Sequence, residues 1–594
     1  MSFQRLTERR AIGECNWAHL VLLGIALLSA GCERNKSPAN TAPSGESSTA
    51  WFQDITTESR LKFLHDVTLT GDYLIPEQMG SGCALFDYDN DGRLDVYLIH
   101  NIEPGSTNRN RLFHQERDGR FKDVSRDSGL DVTGYGMAVL AGDVNNDGWL
   151  DILITENGRS RLFRNPGGTG KFQEVSREAG LLNEAWGVPA AFVDYDRDGW
   201  LDIVIANYLV FDPAVRYSPG GVPDFCGPNA YQPTLTRLYH NVTGKSGGNG
   251  AAPRFEDITT ASGLGAHPGK GMGIMCADFD GDHWPDILVS DDDQPNRLFI
   301  NQRNGTFAEQ AVPRGLAFTV MGATASNMGV AVGDIDGNGL FDVMVPHMAE
   351  EKHCLWMQGP AGVYEDRSAA AGFDKLLWHG TGFGPVLADF NNDGFLDLAI
   401  CNGAVRNDMR ARQTPVPPAQ DVPAFWRPYA QPNQIFANDG KGEFQDISGT
   451  NPALCGQAKV ARGMACGDID NDGGLDLVIN YIGMPAGVYR NTARGRGHWF
   501  GLRAVDPALG GRDAYGAEVI VQSGDRHWWR LLQPCYSYCS SNDPRLHFGL
   551  AQMRYIDSIR IIWPDGVIET FPGTDADRYL TIRKGSGKTQ PESP

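Results

Sequence analysis

The stretch Cys83–Ile99 reads CALFDYDNDGRLDVYLI: a hydrophobic strand, an acidic loop opening at Asp87, and a second hydrophobic strand. The loop pattern, D-x-[DN]-x-[DN]-G-x-x-D, returns at Asp143 (DVNNDGWLD), Asp194 (DYDRDGWLD), Asp278 (DFDGDHWPD), Asp334 (DIDGNGLFD), Asp389 (DFNNDGFLD) and Asp468 (DIDNDGGLD). Side-chain oxygens at positions 1, 3 and 5, a glycine that lets the backbone turn with positive φ, and a carboxylate returning at position 9 compose an oxygen cage suited to a hard cation such as Ca²⁺. One copy is a weak motif, whereas seven in one chain specify an architecture.

The candidate ligands are Asp87, Asp89, Asp91 and Asp95 in the first loop and Asp143, Asn145, Asp147 and Asp151 in the second. The third offers Asp194, Asp196, Asp198 and Asp202, and the fourth Asp278, Asp280, Asp282 and Asp286. Asp334, Asp336, Asn338 and Asp342 follow, then Asp389, Asn391, Asp393 and Asp397, then Asp468, Asp470, Asp472 and Asp476. An EF-hand shares the first six positions but closes its cage with Glu at position 12, between helices. Here position 12 is Leu98, Ile154, Ile205, Val289, Val345, Ile400 or Ile479, and positions 8, 10 and 12 are nearly all apolar. That period of two marks a half-buried strand, so each loop is a strand-to-strand turn.

In this context the loops resemble the FG-GAP/VCBS repeat family, whose acidic loops bind calcium in the blades of integrin-type β-propellers; the resemblance covers most of the chain. It departs from the pattern twice. His283 replaces the glycine of the fourth loop, which makes that site the weakest, because His tolerates positive φ less well than Gly. Asn338 stands at position 5 of the fifth loop and still offers a carbonyl oxygen.

Successive loops start 56, 51, 84, 56, 55 and 79 residues apart, which suits one four-stranded blade each with two insertions. Most loops are followed by an L-[FY]-x-N strand, such as Arg161-Leu162-Phe163, and then by F-x-[DE]-[VI], such as Phe172 to Val175. The seventh loop has its Tyr489 strand but no F-x-D-I after it; that piece lies at the other end of the chain as Phe52-Gln53-Asp54-Ile55. A ring that borrows its last strand from the N-terminus leaves no open edge at the seam. The expected fold is therefore all-β: a seven-bladed β-propeller with integrin-type calcium loops over 51–495, followed by a small β-sandwich. For 496–583, the segments Gly516-Ala517, Asp543 to Leu550 and Trp563-Pro564-Asp565-Gly566 resemble the ASPIC/UnbV domain that follows such propellers in the cartilage acidic protein family. Residues 584–594 read as a disordered tail.

The net charge is −21, and the loops alone hold 25 Asp, so much of the acidity sits at the proposed metal sites. Without basic clusters, nucleic acid and anionic lipid surfaces are excluded as electrostatic partners. Arg5, Arg9 and Arg10 precede the apolar run Trp17 to Ala30, too short to span a membrane and suited to an export signal over 1–31. Its ending, Leu28 to Cys32, resembles a bacterial lipoprotein signal, which implies lipidation at Cys32, with 32–50 as a flexible tether. The expected location is the cell envelope, as an outer-membrane lipoprotein or in the periplasmic or extracellular space. Nine cysteines would remain in the mature chain, and Cys83, Cys276, Cys401 and Cys466 stand at core-like strand positions. Cys535 and Cys539 can pair only if a turn or helix brings them together.

Function must be sought in sites rather than in the fold. Insertions at Asn207–Gln232 and Asn402–Pro432 both follow the strand after a metal loop; in an antiparallel blade they project from the opposite face and meet around one rim of the channel. The second holds Arg410, Arg412 and the candidate partner-binding residues Trp426, Arg427 and Tyr429. His65, His100 and His379, with Asp66 and Glu77 near the first, are the only candidates for a channel metal or acid/base site, and no catalytic motif accompanies them. The reading is an exported, lipid-anchored, Ca²⁺-binding propeller that binds a protein or glycan partner in an adhesion-type role. The alternative is a carbohydrate lyase or related enzyme with a metal in the channel.

Overall fold

The computed structural model describes residues 50–590 apart from 68, 104 and 408–413. The export segment, Cys32, nearly all of the tether, Arg410 and Arg412 lie outside the described residues.

Each acidic loop joins the first two strands of an antiparallel four-stranded sheet. In the second sheet Gly136–Gly142 pairs with Asp151–Glu156, then come Arg159–Arg164 and Gln173–Glu174, and Gly142 faces Asp151 across the base of the loop. The second strands are wholly buried, as Ile203, Val204 and Ile205 are, because their two faces pack on neighbouring sheets. Among the described residues there are seven such sheets, one of which adds the short strand Ala325–Ser326. Phe52–Asp54 completes the seventh, with Phe52 opposite Asn491 and Asp54 opposite Tyr489.

The sheets close into a ring through one repeated side-chain bond. The Asn or Gln ending each third strand donates its amide to the carbonyl of the second loop residue in the preceding sheet. The series runs Asn165 to Tyr88, Asn241 to Val144, Asn301 to Tyr195, Gln358 to Phe279, Asn438 to Ile335, Asn491 to Phe390 and Gln115 to Ile469, all at 2.8–3.0 Å. These amides are buried, so each strap satisfies a carbonyl that water cannot reach. Replacing Asn301 with Ala should orphan the Tyr195 carbonyl and cost about 1–3 kcal/mol in denaturant unfolding. A change within about 0.5 kcal/mol would show that the strap contributes nothing beyond packing.

Beyond residue 495 the chain forms two further sheets. One holds Arg512–Asp513, His498–Asp506 and Leu546–Ala551, with Arg578–Arg583 parallel to His498–Asp506. The other orders Arg526–Leu531, Glu518–Ser523, Tyr555–Ile562, Ile568–Asp575 and Lys588–Gln590. The expected small sandwich is thus present, but the expected disordered tail is corrected: Lys588–Gln590 is an edge strand, paired to Ile568–Thr570. The sandwich and the ring form one compact unit.

Candidate metal centres and the capped face

The seven loops share one internal frame. The carboxylate at position 1 accepts the backbone N–H of position 6, as Asp87 does from Gly92 at 2.8 Å and Asp389 from Gly394 at 2.8 Å. The position 9 carboxylate is buried, and its two oxygens accept one N–H from position 2 of its own loop and one from the end of the third strand. For Asp95 these donors are Tyr88 at 3.2 Å and Gln115 at 2.8 Å, and the same pair recurs at Asp151, Asp202, Asp286, Asp342, Asp397 and Asp476. Position 9 therefore fixes the turn as well as facing the cage.

Positive φ occurs at two positions, not one. Gly92 has φ 85° and Asn90 has φ 56°; position 4 elsewhere is Asn146, Arg197, Gly281, Gly337, Asn392 or Asn471, all left-handed. The run of Asn and Gly at position 4 was a signal for this that the spacing of oxygens concealed. Where the residue is Asn, its amide donates to the position 6 carbonyl of the next loop: Asn90 to Gly148, Asn146 to Gly199, Asn392 to Gly473 and Asn471 to Gly92. Arg197 reaches the His283 carbonyl in the same way. The fourth loop keeps the common frame despite its missing glycine, since His283 adopts φ 65° and donates its N–H to Asp278 at 2.7 Å.

The donor set fits a hard cation. Ligand atoms of Asp87, Asp89 and Asp95 converge within 4.8 Å of one another, as do those of Asp194, Asp196 and Asp198. Buried oxygens at ligand positions of Asp89, Asn145, Asp194, Asp280 and Asp334 have no hydrogen-bond donor. Burial, and secondarily neighbouring carboxylates, push the Asp143 carboxyl up to about 6, Asp194 and Asp389 to about 7 and Asp342 to about 8, with Asp151, Asp202, Asp286, Asp397 and Asp476 raised well above the usual range. A divalent ion in the cage would favour the ionised forms that burial disfavours. Part of the charge is offset by the protein, through Arg164 on Asp147, Arg314 on Asp280 and Arg490 on Asp470 at 3.0–3.1 Å.

The sandwich covers this loop face. Tyr579 donates its hydroxyl to Asp468 at 2.7 Å, Arg545 reaches the Asp468 carbonyl at 2.9 Å, and the Ala551 N–H bonds the Asn392 carbonyl at 2.8 Å. Arg512 offsets the charge of Asp143 and Asp194, and Arg530 that of Asp334 and Asp389. Both guanidiniums are buried and keep N–H groups without an acceptor.

A segment of the sandwich, Gln533 to Asp543, enters the ring. Ser541 exchanges backbone bonds with Cys83 and Leu85 in the first sheet, and Cys539 accepts from Val139 in the second. Gln533 bonds the Phe192 carbonyl in the third, Ser537 pairs with Val330 in the fifth, Tyr538 meets the Phe383 ring edge-on at 5.0 Å in the sixth, and Asn542 accepts from Cys466 in the seventh. One short segment touching the innermost strands of so many sheets occupies the ring axis. Arg462 lies against the same Phe383 ring at 3.9 Å, its guanidinium donating to the Gln78, Gly403, Ala404 and Ala461 carbonyls. The channel is filled rather than open.

The histidine candidates form no common site. The His65 and His100 rings lie 5.8 Å apart, tilted by 51°, while His379 sits beside His353 at 6.4 Å. Burial pushes His65 well below its ordinary value and His100 down to about 4, so both rings are neutral near pH 7. Glu77 is engaged by the Thr70 hydroxyl at 2.5 Å.

The two insertions do meet on one rim. Trp426 stacks on Phe225 at 6.1 Å, and the Tyr429 hydroxyl donates to Asp224 at 2.8 Å. That contact corrects the reading of the partner-binding residues: Trp426 and Tyr429 are each 2% exposed, consumed in joining the insertions, and of the three only Arg427 faces solvent. Cys535 and Cys539 are unpaired, as are the other described cysteines, and all are buried.

Residues 87–154, 143–205 and 278–345 match the FG-GAP-like repeat, and 509–589 match ASPIC and UnbV. Cartilage acidic protein 1 of Xenopus tropicalis is 26% identical over 530 residues, covering 85% of this chain and 73% of the relative. The Homo sapiens protein of that name is 25% identical over 547 residues, covering 87% and 74%. Among solved structures, an Agrocybe aegerita lectin, described as recognising non-reducing terminal N-acetylglucosamine, has a TM-score of 0.36 and 14% identity, covering 67% of this chain and 88% of that one.

Proposed function

We propose that this chain, an FG-GAP repeat β-propeller with a C-terminal ASPIC and UnbV domain and homology to the cartilage acidic proteins, is an exported calcium-binding protein of the cell envelope that holds a protein or glycan partner on the insertion face of the ring. Lipidation at Cys32 is the anchor in this reading. The observation that carries it is the distribution of free surface. The sandwich takes the loop face and the plug takes the channel, whereas Leu182, Val210, Val222, Val320, Met321 and Leu377 are exposed in connections on the opposite face. These exposed apolar side chains, on the face the sandwich leaves uncovered, are the candidate contacts for a partner. Gln533 to Asp543 lie along the ring axis, which favours the binding reading over an enzyme with a metal in an open channel.

The test is a screen of envelope proteins and glycans against the soluble chain starting at Thr49, with calcium present. Replacing Val320, Met321 and Arg427 with Glu should weaken capture by more than about tenfold and leave the melting curve unchanged, since these side chains are exposed. Cys32→Ser in the full chain should move it from the membrane to the soluble fraction. Normal capture by the triple variant would displace the partner from this face, and a wild-type chain that is already soluble would remove the anchor.

A further inference from the structure

We propose that His283, Asp278 and Glu518 form a divalent transition-metal site, of the Zn²⁺ class, that joins the ring to the sandwich. His283 replaces the glycine found in the other six loops yet keeps the turn and its N–H bond to Asp278, at the backbone cost of a positive φ, so its imidazole is added to the cage. Its Nδ1 lies 3.6 Å from the Asp278 carboxylate. Glu518 approaches from the sandwich strand Glu518–Ser523, and ligand atoms of the three residues lie within 4.8 Å of one another.

Glu518 is only 5% exposed and makes no ion pair among the described residues. A donor facing its carboxylate is the Trp529 indole, whose N–H lacks a well-formed bond. Arg197 and Arg560 face the group from the third loop and the neighbouring sandwich strand, yet neither forms an ion pair with it. The same small cavity is lined by Asp194, whose buried Oδ1 has no donor.

The chemistry separates this site from the other loops. Residues within those loops offer only oxygens, which suit Ca²⁺; His114 and His240 reach the first and third loops from third strands and are held by the buried position 9 carboxylates at 3.1 Å, whereas His283 belongs to the loop itself and faces a carboxylate of the sandwich. One imidazole nitrogen with two carboxylates suits Zn²⁺ in four-coordinate geometry with water as the fourth ligand. His283 is partly exposed and leaves the ion a way in. The fourth loop would thus take a transition ion in place of calcium, and the ion would tie Asp278 of the ring to Glu518 of the sandwich.

Equilibrium dialysis of the soluble chain against Zn²⁺ in excess Ca²⁺ tests this without any partner, so its outcome is independent of the binding reading above. The wild type should retain one Zn²⁺ per chain. His283→Gly should lose it and gain one Ca²⁺, and Glu518→Gln should weaken Zn²⁺ by more than about tenfold with the remaining Ca²⁺ count unchanged. Should a variant fail to fold, Co²⁺ in the wild type decides: visible bands of a nitrogen-containing site that excess Ca²⁺ does not displace support the proposal. Zn²⁺ retention by His283→Gly, no retained Zn²⁺ in the wild type, or displacement of Co²⁺ by Ca²⁺ would each overturn it.

Discussion

Removing calcium with a chelator is expected to lower the melting temperature by about 10 °C at pH 8, and by much less at pH 5. Extracellular calcium modules bind at roughly 0.1–1 mM, so about 10 mM Ca²⁺ stabilises by about 1.4–2.7 kcal/mol per site. Several sites summing to about 10 kcal/mol, set against an unfolding entropy of about 1 kcal/mol/K for a chain of this size, give that shift. The pH dependence follows from the raised carboxyls. A folded value above the unfolded one means that stability is full below about pH 4 and is lost as pH rises through the folded values. For the cation-free protein that loss runs through about 6 for Asp143, about 7 for Asp194 and Asp389, and about 8 for Asp342. Calcium holds the ionised forms, so the gap between chelated and loaded protein widens toward pH 8. Melting curves that coincide with and without chelator at pH 8, together with no calcium in elemental analysis, would refute the calcium assignment.

The second large effect belongs to the plug. Tyr538 is buried at the ring axis against Phe383, with its hydroxyl on the Met79 carbonyl at 3.1 Å. Tyr538→Ala should cost about 3–5 kcal/mol, the range for a large buried aromatic, and should do so with calcium saturating. Gly82 tests the same contact from the ring side. A Cβ there would stand 1.6 Å from the Cys539 carbonyl oxygen, a backbone atom that cannot swing aside, so Gly82→Ala should destabilise by at least about 1–3 kcal/mol. Gly92→Ala is the wrong control, because Gly92 needs its positive φ; Gly449, whose Cβ would meet nothing, is the right one. If Tyr538→Ala changed stability by less than about 1 kcal/mol, the segment would be lying in the ring without supporting it.

Much of the ring was legible because its information is local and repeated. The oxygens at positions 1, 3, 5 and 9, the strands on either side and the misplaced Phe52 to Ile55 piece are all short-range patterns whose copies check one another. The Asn ending the L-[FY]-x-N strands was visible as a letter, but not as the strap to the preceding sheet, since nothing local names a partner that lies in another repeat. The parity of antiparallel strands brought the two insertions to one face correctly. It could not say that Trp426 and Tyr429 would be consumed in joining them, because an aromatic cluster that packs on itself and one that waits for a partner have the same composition. The plug was the least legible element. Gln533 to Asp543 mixes small polar residues with Tyr and Cys and has no periodicity, and its contacts with Cys83, Val139, Val330 and Phe383 reach far along the chain. His283 was read as a defect in a calcium loop, whereas its meaning depends on Glu518, which sequence places more than two hundred residues away.

The ring is fastened by Phe52–Asp54 against Gly487–Asn491, and its axis is filled only by a segment further along the chain. A ribosome has therefore made every sheet before the material that belongs at their centre exists. Until residue 543 has been synthesised, the inner strands surround a void with unmatched backbone groups, and the first strand waits for a partner more than four hundred residues away. Such non-local pairing is slow, and it favours a chain kept unfolded until it is whole. The order in which this ring can be completed is therefore the reverse of the order in which its parts are made.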